Sequence, residues 1–172
     1  GPEIDSATLR DLASQEAPFV FDLLKGAFVD LAATWQPGGG MSAASPASFG
    51  DSLVLAGTQM QDAGELLLVE LDWGVIGSPE APLSAFVHAY DSSGALVAQH
   101  DAPPGDGAVP QTLWHPGDRI RQRVELDLST LAPGSYTVAV GVYDAVTGVR
   151  LAAEYDHEPL ADEIYRIGGF NR

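Results

Sequence analysis

The sequence predicts a mainly β fold, an immunoglobulin- or fibronectin-like antiparallel β-sandwich of eight or nine strands with a short helical N-terminal appendage. Residues 49–172 consist of short apolar or alternating segments separated by turn-forming residues. These strands do not alternate with helical patterns, which disfavours a parallel α/β sheet. Apolar residues make up 45% of the 172 residues, which is enough for the core of one domain.

The N-terminal segment has a different pattern. Asp5 or Ser6 can cap a short helix, and Pro18 suits the first turn of a second helix. The second helix is predicted by an apolar stripe at helical spacing, formed by Phe21, Leu24, Phe28 and Leu31. An alternative stays open, in which two short strands at 19–24 and 27–33 are joined at Lys25-Gly26.

Composition divides the chain into three parts. Residues 1–35 form the helical appendage, in which residues 1–2 resemble the remnant of a cleaved tag. Residues 36–48 are rich in Gly, Ser, Ala and Pro, which is typical of a linker. Residues 49–172 form the predicted β-sandwich domain.

Eight segments of this domain are predicted to be strands, and they contain two aromatic residues that help to define the fold. Two aromatic residues are predicted to be structural: Trp73 lies on the apolar face of its strand, and Tyr136 opens another strand after Pro133-Gly134. A tyrosine in that position can form a tyrosine corner, in which its hydroxyl bonds to upstream backbone. The predicted strands are 53–57, 65–73, 83–90, 95–100, 119–128, 136–143, 149–153 and 164–167.

Charge and composition exclude several function classes. Eight basic and 24 acidic residues give a formal net charge of −16, so phosphate backbones and anionic lipid surfaces would repel the protein. We therefore expect no nucleic-acid partner. No apolar stretch is long enough to insert this fragment into a membrane. Without cysteine there is no disulfide, thiol nucleophile or thiolate metal site, and no cofactor is expected.

Catalytic motifs are not found. The four histidines have no metalloprotease-type spacing, and no glycine-flanked serine resembles a nucleophile elbow. His88 shares a strand face with Phe86 and Tyr90, which favours a packed or hydrogen-bonded histidine. Asp101 and Asp106 form only a weak calcium candidate, because they lack the ligand spacing of a calcium loop.

The only basic cluster is a row of arginines on one face of the strand at 119–128, namely Arg119, Arg121 and Arg123. On an outer sheet face these arginines would pair with neighbouring acids. The alternative is that they contact an anionic ligand or partner.

Trp114 is the better functional lead, because it follows a Pro/Gly-rich loop and stands among polar residues. An exposed indole can stack on the apolar face of a sugar ring. The predicted sugar site joins Trp114 to residues that could bond hydroxyl groups: Asp101, Asp106, Gln111 and His115. The alternative is that Trp114 plugs one end of the sandwich.

Residues 49–153 also resemble a known module. The runs FVHAYDSSGALVAQHDAPPGDGAVPQTLWHPGD and LAPGSYTVAVGVYDAVTGVRL are similar to the β-sandwich that follows the membrane part of bacterial glycosyltransferases of the family 39 type, which are dolichyl-phosphate-mannose–protein mannosyltransferase-like. The chain departs from the pattern at Ala89 and Gln111. The matching residues are Phe49 to Asp51, Leu55 to Gly57, Phe86, His88, Asp91, Gly94, Gln99, Asp101, Pro104, Gly107, Pro110, Trp114, Gly117, Gly134, Tyr136, Gly141, Tyr143, Asp144, Gly148, Arg150 and Leu151.

This resemblance implies a non-catalytic, extracytoplasmic accessory domain of a cell-envelope glycosyltransferase. It carries over no catalytic residue, because catalysis in such enzymes belongs to the membrane-embedded part. The expected partners are a glycan or that membrane part of the same protein. One alternative is a structural or protein-interaction domain without a small ligand. The other is an enzyme, a glycoside hydrolase or a metal-dependent esterase, which would need facing carboxylates or converging histidines.

Overall fold

The structure, a computed structural model, describes residues 5–14, 19–22, 27–40 and 47–172. The N-terminal elements are the helix α1 (Ser6–Ala13), the strands β1 (Phe19–Asp22) and β2 (Ala27–Asp30), and the short helix α2 (Leu31–Thr34). Helix α1 is capped as predicted, since the Asp5 carboxylate accepts a hydrogen bond of 2.8 Å from the Thr8 backbone N–H.

The predicted second helix is wrong, and the strand alternative describes this segment. β1 and β2 form an antiparallel pair in which Phe21 lies opposite Phe28. Aromatic and β-branched residues favour strands, and the pairing satisfies their backbone groups. Of the apolar stripe, Phe21 and Phe28 therefore lie on strands, and Leu31 begins the short helix α2. Residues 23–26, which include Leu24 and the Lys25-Gly26 junction, lie outside the described residues, as do Pro18 and residues 41–46 of the predicted linker.

Eleven further strands form two antiparallel sheets, which confirms the β-sandwich. The larger sheet contains β3 (Trp35–Gln36), β4 (Ala47–Phe49), β5 (Leu53–Asp62), β6 (Leu66–Val75), β9 (Arg119–Asp127), β11 (Ala153–Tyr155) and β12 (Glu158–Pro159). The smaller sheet contains β7 (Leu83–Tyr90), β8 (Leu96–Ala102), β10 (Ser135–Asp144) and β13 (Tyr165–Asn171). Their spatial orders are β12-β11-β4-β5-β6-β9-β3 and β13-β10-β7-β8. The eleven strands exceed the predicted eight or nine. Four of them are only two or three residues long, too short to show an alternating pattern in the sequence: β3, β4, β11 and β12.

One predicted strand is displaced. At 149–153 only Arg150 bridges to Tyr143, and β11 begins at Ala153. The Asp144 carboxylate accepts hydrogen bonds from the backbone of the following turn, and Gly148 closes that turn at φ +72°. The turn ends at Gly148, before the predicted strand, and the strand itself begins four residues later than expected, at Ala153.

The core lies between the two sheets. Trp73 is fully buried there, and its indole Nε1 donates a 3.0 Å hydrogen bond to Gln122 Oε1. Tyr136 donates its hydroxyl to the Ala132 carbonyl at 2.6 Å and stacks on Phe170, which is the geometry of a tyrosine corner. No described helix is long and apolar enough to cross a bilayer.

Asp118 fastens the N-terminal elements to the sandwich. This fully buried carboxylate precedes β9 and accepts hydrogen bonds from four residues: Arg10 (2.7 and 2.9 Å), Trp35 Nε1 (3.1 Å), the Gly38 backbone (2.9 Å) and the His115 backbone (3.0 Å). The Arg10 guanidinium also lies 5.3 Å from the Trp35 ring centroid. Helix α1 therefore packs on the sandwich, and Trp35 belongs to its core.

We predict that Asp118→Ala lowers the free energy of unfolding by about 3–5 kcal/mol, because it leaves Arg10 and three other donors without their acceptor. Urea denaturation measures the change. Glu154→Gln is the control, since Glu154 is exposed on β11 and should change stability little. An equal loss in both variants would contradict the role given to Asp118.

The contribution of Asp118 should also depend on pH. Burial alone would raise its pKa, but hydrogen bonds from Arg10, His115, Gly38 and Trp35 outweigh burial and hold the pKa below the ordinary value of 3.8. Between these two pKa values the unfolded chain binds more protons, so stability rises with pH. The stability difference between wild type and Asp118→Asn should be largest above about pH 5 and shrink below pH 3.8. Urea titrations from pH 3 to 7 test this, and a difference independent of pH would contradict it.

Candidate ligand-binding face of the four-stranded sheet

The smaller sheet is buried on both sides along β7. Ala85, Val87 and Ala89 face the core between the sheets. Phe86 and His88 point to the opposite side, yet only 1% and 8% of their surface is exposed. Antiparallel sheets commonly leave one face to solvent, so a covered outer face requires an explanation.

Strand register brings residues from separate segments onto this outer side. On β8, Asp101 lies opposite Phe86 and Gln99 lies opposite His88. On β10, Gly141 lies opposite Phe86, and Tyr143 shares the same side of the strand. We call the set that includes the overlying Arg150 the aromatic face; its members are Phe86, His88, Tyr90, Gln99, Asp101, Gly141, Tyr143 and Arg150.

His88 is held at both ring nitrogens. Nε2 lies 3.1 Å from Asp101 Oδ1, and Nδ1 lies 3.2 Å from the Tyr90 hydroxyl. A carboxylate can only accept, so in the neutral ring Nε2 donates to Asp101 and Nδ1 accepts from Tyr90. This chain orients a partly exposed phenol and a partly exposed carboxylate on one surface.

Phe86 forms the floor of the aromatic face. A Cβ added at Gly141 would overlap the Phe86 ring, so only glycine lets the ring lie against β10. The His88 ring packs with its centroid 4.3 Å from that of Phe86. Above the floor, the Arg150 guanidinium lies 4.9 Å from the Phe86 centroid and donates to the Asp162 carbonyl at 2.8 Å.

The groups that remain accessible are polar and aromatic. Gln99, Asp101 and Arg150 are exposed, and Tyr90 and Tyr143 are partly buried. Tyr143 pairs with Ser84, which lies six residues from Tyr90 on β7, so the backbones of the two tyrosines are about 20 Å apart along the strand. Their rings come closer together, because each leans toward the Phe86 and His88 rings that lie between them. An amide, a carboxylate and a guanidinium between two phenol rings can bond the hydroxyl groups of an extended ligand while the rings contact its apolar parts.

The predicted sugar site is not assembled around Trp114. Only 2% of this residue is exposed, and it packs in the core, so its ring offers no face to a sugar. Gln111 is a structural clamp, since its amide donates to the Leu83 carbonyl at 2.7 Å and its oxygen accepts from the Leu83 N–H at 2.8 Å. The loop thereby folds over the end of the sandwich, and Trp114 plugs it.

Asp101, Asp106 and His115, the other three residues of the predicted sugar site, each contact different parts of the protein. Asp101 belongs to the aromatic face. Asp106 lies 3.6 Å from His100 Nε2, and it accepts from Gln122 at 3.4 Å. His115 is exposed and contributes its backbone N–H to Asp118. Among the residues described, no group of three or more His, Asp or Glu side chains is placed to hold a metal ion, and the two calcium candidates engage different histidines.

Sequence reasoning did not single out most of the aromatic face as a site. The alternation in FVHAY places Phe86, His88 and Tyr90 on one side of a strand, but this pattern favours a packed or hydrogen-bonded histidine over a binding site. The contributions of Gln99, Tyr143 and Arg150 depend on strand register, which no local pattern encodes.

No protein-family model and no curated protein sequence matches this chain. Among solved structures, it is similar to the C-terminal domain of Wzt, with a TM-score of 0.44, 11% identity, and coverage of 79% of this chain and 88% of that one. It is also similar to a β-glucuronidase of glycoside hydrolase family 2 (TM-score 0.37, 12% identity, 67% of this chain) and to OgpA from Akkermansia muciniphila (0.36, 13%, 75%). The chain spans 11% and 32% of those two proteins. At these scores the likeness carries no functional information, and the resemblance to the family 39 type stays a prediction.

Two buried tryptophans differ in the hydrogen bonding of their indole N–H groups. Trp114 Nε1 is buried without a hydrogen-bond partner in the described structure, whereas Trp73 Nε1 bonds to Gln122. We predict that Trp114→Ala loses about 3–5 kcal/mol of stability. Trp114→Phe should lose less than Trp73→Phe, because only the latter leaves a buried amide oxygen unpaired. Thermal and urea unfolding measure these changes, and a stable Trp114→Ala variant would contradict the buried position.

Proposed function

We propose that this protein is a non-catalytic accessory domain that binds an extended saccharide on the aromatic face. One observation carries the proposal. Seven residues of the motif run come from three segments of the chain and meet on the outer side of one sheet: Phe86, His88, Gln99, Asp101, Gly141, Tyr143 and Arg150.

The chemistry of the face suits a sugar chain. Pyranose rings have an apolar side of C–H groups and a rim of hydroxyls. Tyr90 and Tyr143 offer partly exposed rings, while Asp101 and Gln99 offer an acceptor and an amide. Because His88 and the Asp162 carbonyl already hold Asp101 and Arg150, few rotamers would be lost on binding.

In the proposed context the domain is an extracytoplasmic part of a cell-envelope glycosyltransferase of the family 39 type. It would hold a glycan near the membrane-embedded catalytic part of the same protein. This context comes from the motif resemblance, and the aromatic face supplies the binding function within it.

Glycan-array binding followed by calorimetry tests the proposal. We expect wild type to bind a subset of oligosaccharides, and Tyr90→Ala and Tyr143→Ala each to weaken binding by about tenfold, the loss of roughly 1.4 kcal/mol. Tyr155→Ala is the matched control, because Tyr155 is an exposed tyrosine on the larger sheet.

Retained folding of each variant is checked by circular dichroism. Unchanged binding in both tyrosine variants would remove the aromatic face as the site. If the folded wild type bound no glycan, the alternative of a structural or protein-docking domain would replace the proposal.

A further inference from the structure

A concave site lies on the larger sheet, away from the aromatic face. A groove of about 760 Å³ opens over β5, β6 and β9 of the larger sheet. It is walled by Thr34 of α2 and by the loop that contains Gly105 and Asp106. Its volume falls within the range of sites for small organic ligands, about 300–1,000 Å³. Since Arg121 and Arg123 line it, we call it the arginine groove.

The predicted pairing of the arginine row with neighbouring acids holds only in part. Register sets Arg121 opposite Asp72 and Arg123 opposite Glu70. Asp72, however, is engaged by Arg119, whose Nε donates to Asp72 Oδ1 at 3.2 Å.

Arg123 and Arg121 differ in their partners. Arg123 has Glu125 at 4.0 Å on its own strand. Among the described residues, Arg121 has no ion-pair or hydrogen-bonding acid, although it is exposed to the groove. The guanidinium of Arg121 is therefore available in the groove, because Asp72, the carboxylate opposite it on β6, is bonded to Arg119.

A positively charged side chain in this position is well suited to an anion. The guanidinium offers a planar fork that binds a carboxylate through two parallel hydrogen bonds. Gln59 and Glu70, which are exposed in the lining, offer an amide and a carboxylate to hydroxyl groups, whereas the Gln122 amide is buried and already bonded to Trp73 and Asp106. A ligand with one carboxylate and several hydroxyls matches both parts of the lining.

The acids in the groove also limit the charge that a ligand can carry. Glu70, Asp72 and Asp106 lie in the same lining as Arg121. These three acids outnumber Arg121 and Arg123, so each negative charge on a ligand adds net repulsion, and a phosphate monoester with a charge near −2 at neutral pH adds twice as much as a monocarboxylate.

We propose that the arginine groove binds a sugar acid of the hexuronate class, with its carboxylate on Arg121 and its hydroxyls on Gln59 and Glu70. This site lies on the larger sheet, and it does not depend on saccharide binding by the aromatic face. The domain then has two saccharide sites of different chemistry.

Two-dimensional NMR titration of the intact protein tests the proposal with five probes: glucuronate, galacturonate, the two neutral hexoses from which they derive, and a hexose 6-phosphate. We expect at least one uronate to shift the Arg121 side-chain signal and to bind about tenfold or more tightly than its hexose, the value of one charge-assisted contact. Arg121→Gln should remove this preference. Arg166→Gln, an exposed arginine on β13 of the other sheet, should keep it.

A uronate affinity within twofold of wild type in Arg121→Gln would overturn the proposal, as would equal affinity for uronate and hexose. Tighter binding of hexose 6-phosphate than of the uronate would overturn the carboxylate assignment. Tyr90→Ala should leave uronate binding unchanged. Loss of oligosaccharide binding in this variant therefore tests the aromatic face, and loss of uronate preference in Arg121→Gln tests the groove independently.

Discussion

The buried carboxylate of Asp118 is the constraint on which the arrangement of the N-terminal elements depends. A fully buried charge is tolerated only when its hydrogen-bonding capacity is filled. Here the donors come from α1, from β3, from the turn at Gly38 and from the loop that precedes β9. Since α2 leads directly into β3, the same carboxylate positions the Thr34 wall of the arginine groove.

The aromatic face depends on a different constraint, the close approach of Phe86 to Gly141. A side chain on that residue of β10 would lift Phe86 from the sheet and would displace the Arg150 guanidinium that packs over it. His88, which packs on Phe86, orients Asp101 and Tyr90 through its two ring nitrogens. Gly141 thus determines the position of Phe86 and, through it, the positions of the accessible side chains that pack over Phe86.

The sequence predicted those elements of the fold that depend on interactions between residues close together in the chain. The Asp5 cap of α1 and the long alternating strands could be identified from residue order, because capping and period-two alternation act over a few residues. The second helix was wrong since an apolar stripe at 21–31 fits a hairpin as well as a helix. Trp114 was assigned to a sugar site because a tryptophan beside a Pro/Gly-rich loop is typical of an exposed ring. Its burial depends on Gln111 clamping the loop to Leu83, 28 residues earlier in the chain.

The two outer faces of the sandwich differ in chemistry, and this difference follows from their strands. β9 alternates charged and buried residues, so its outer side is a charged ladder against β6. β7 is buried along all but its last residue and β10 along its middle, so the outer side of this sheet is aromatic with polar groups at its edge. Packed sheets lie about 10 Å apart, and side chains on both outer sides extend the distance further. One short oligosaccharide could not reach both faces, so a domain that used both would join two glycan segments, one neutral and one acidic, across the thickness of the sandwich.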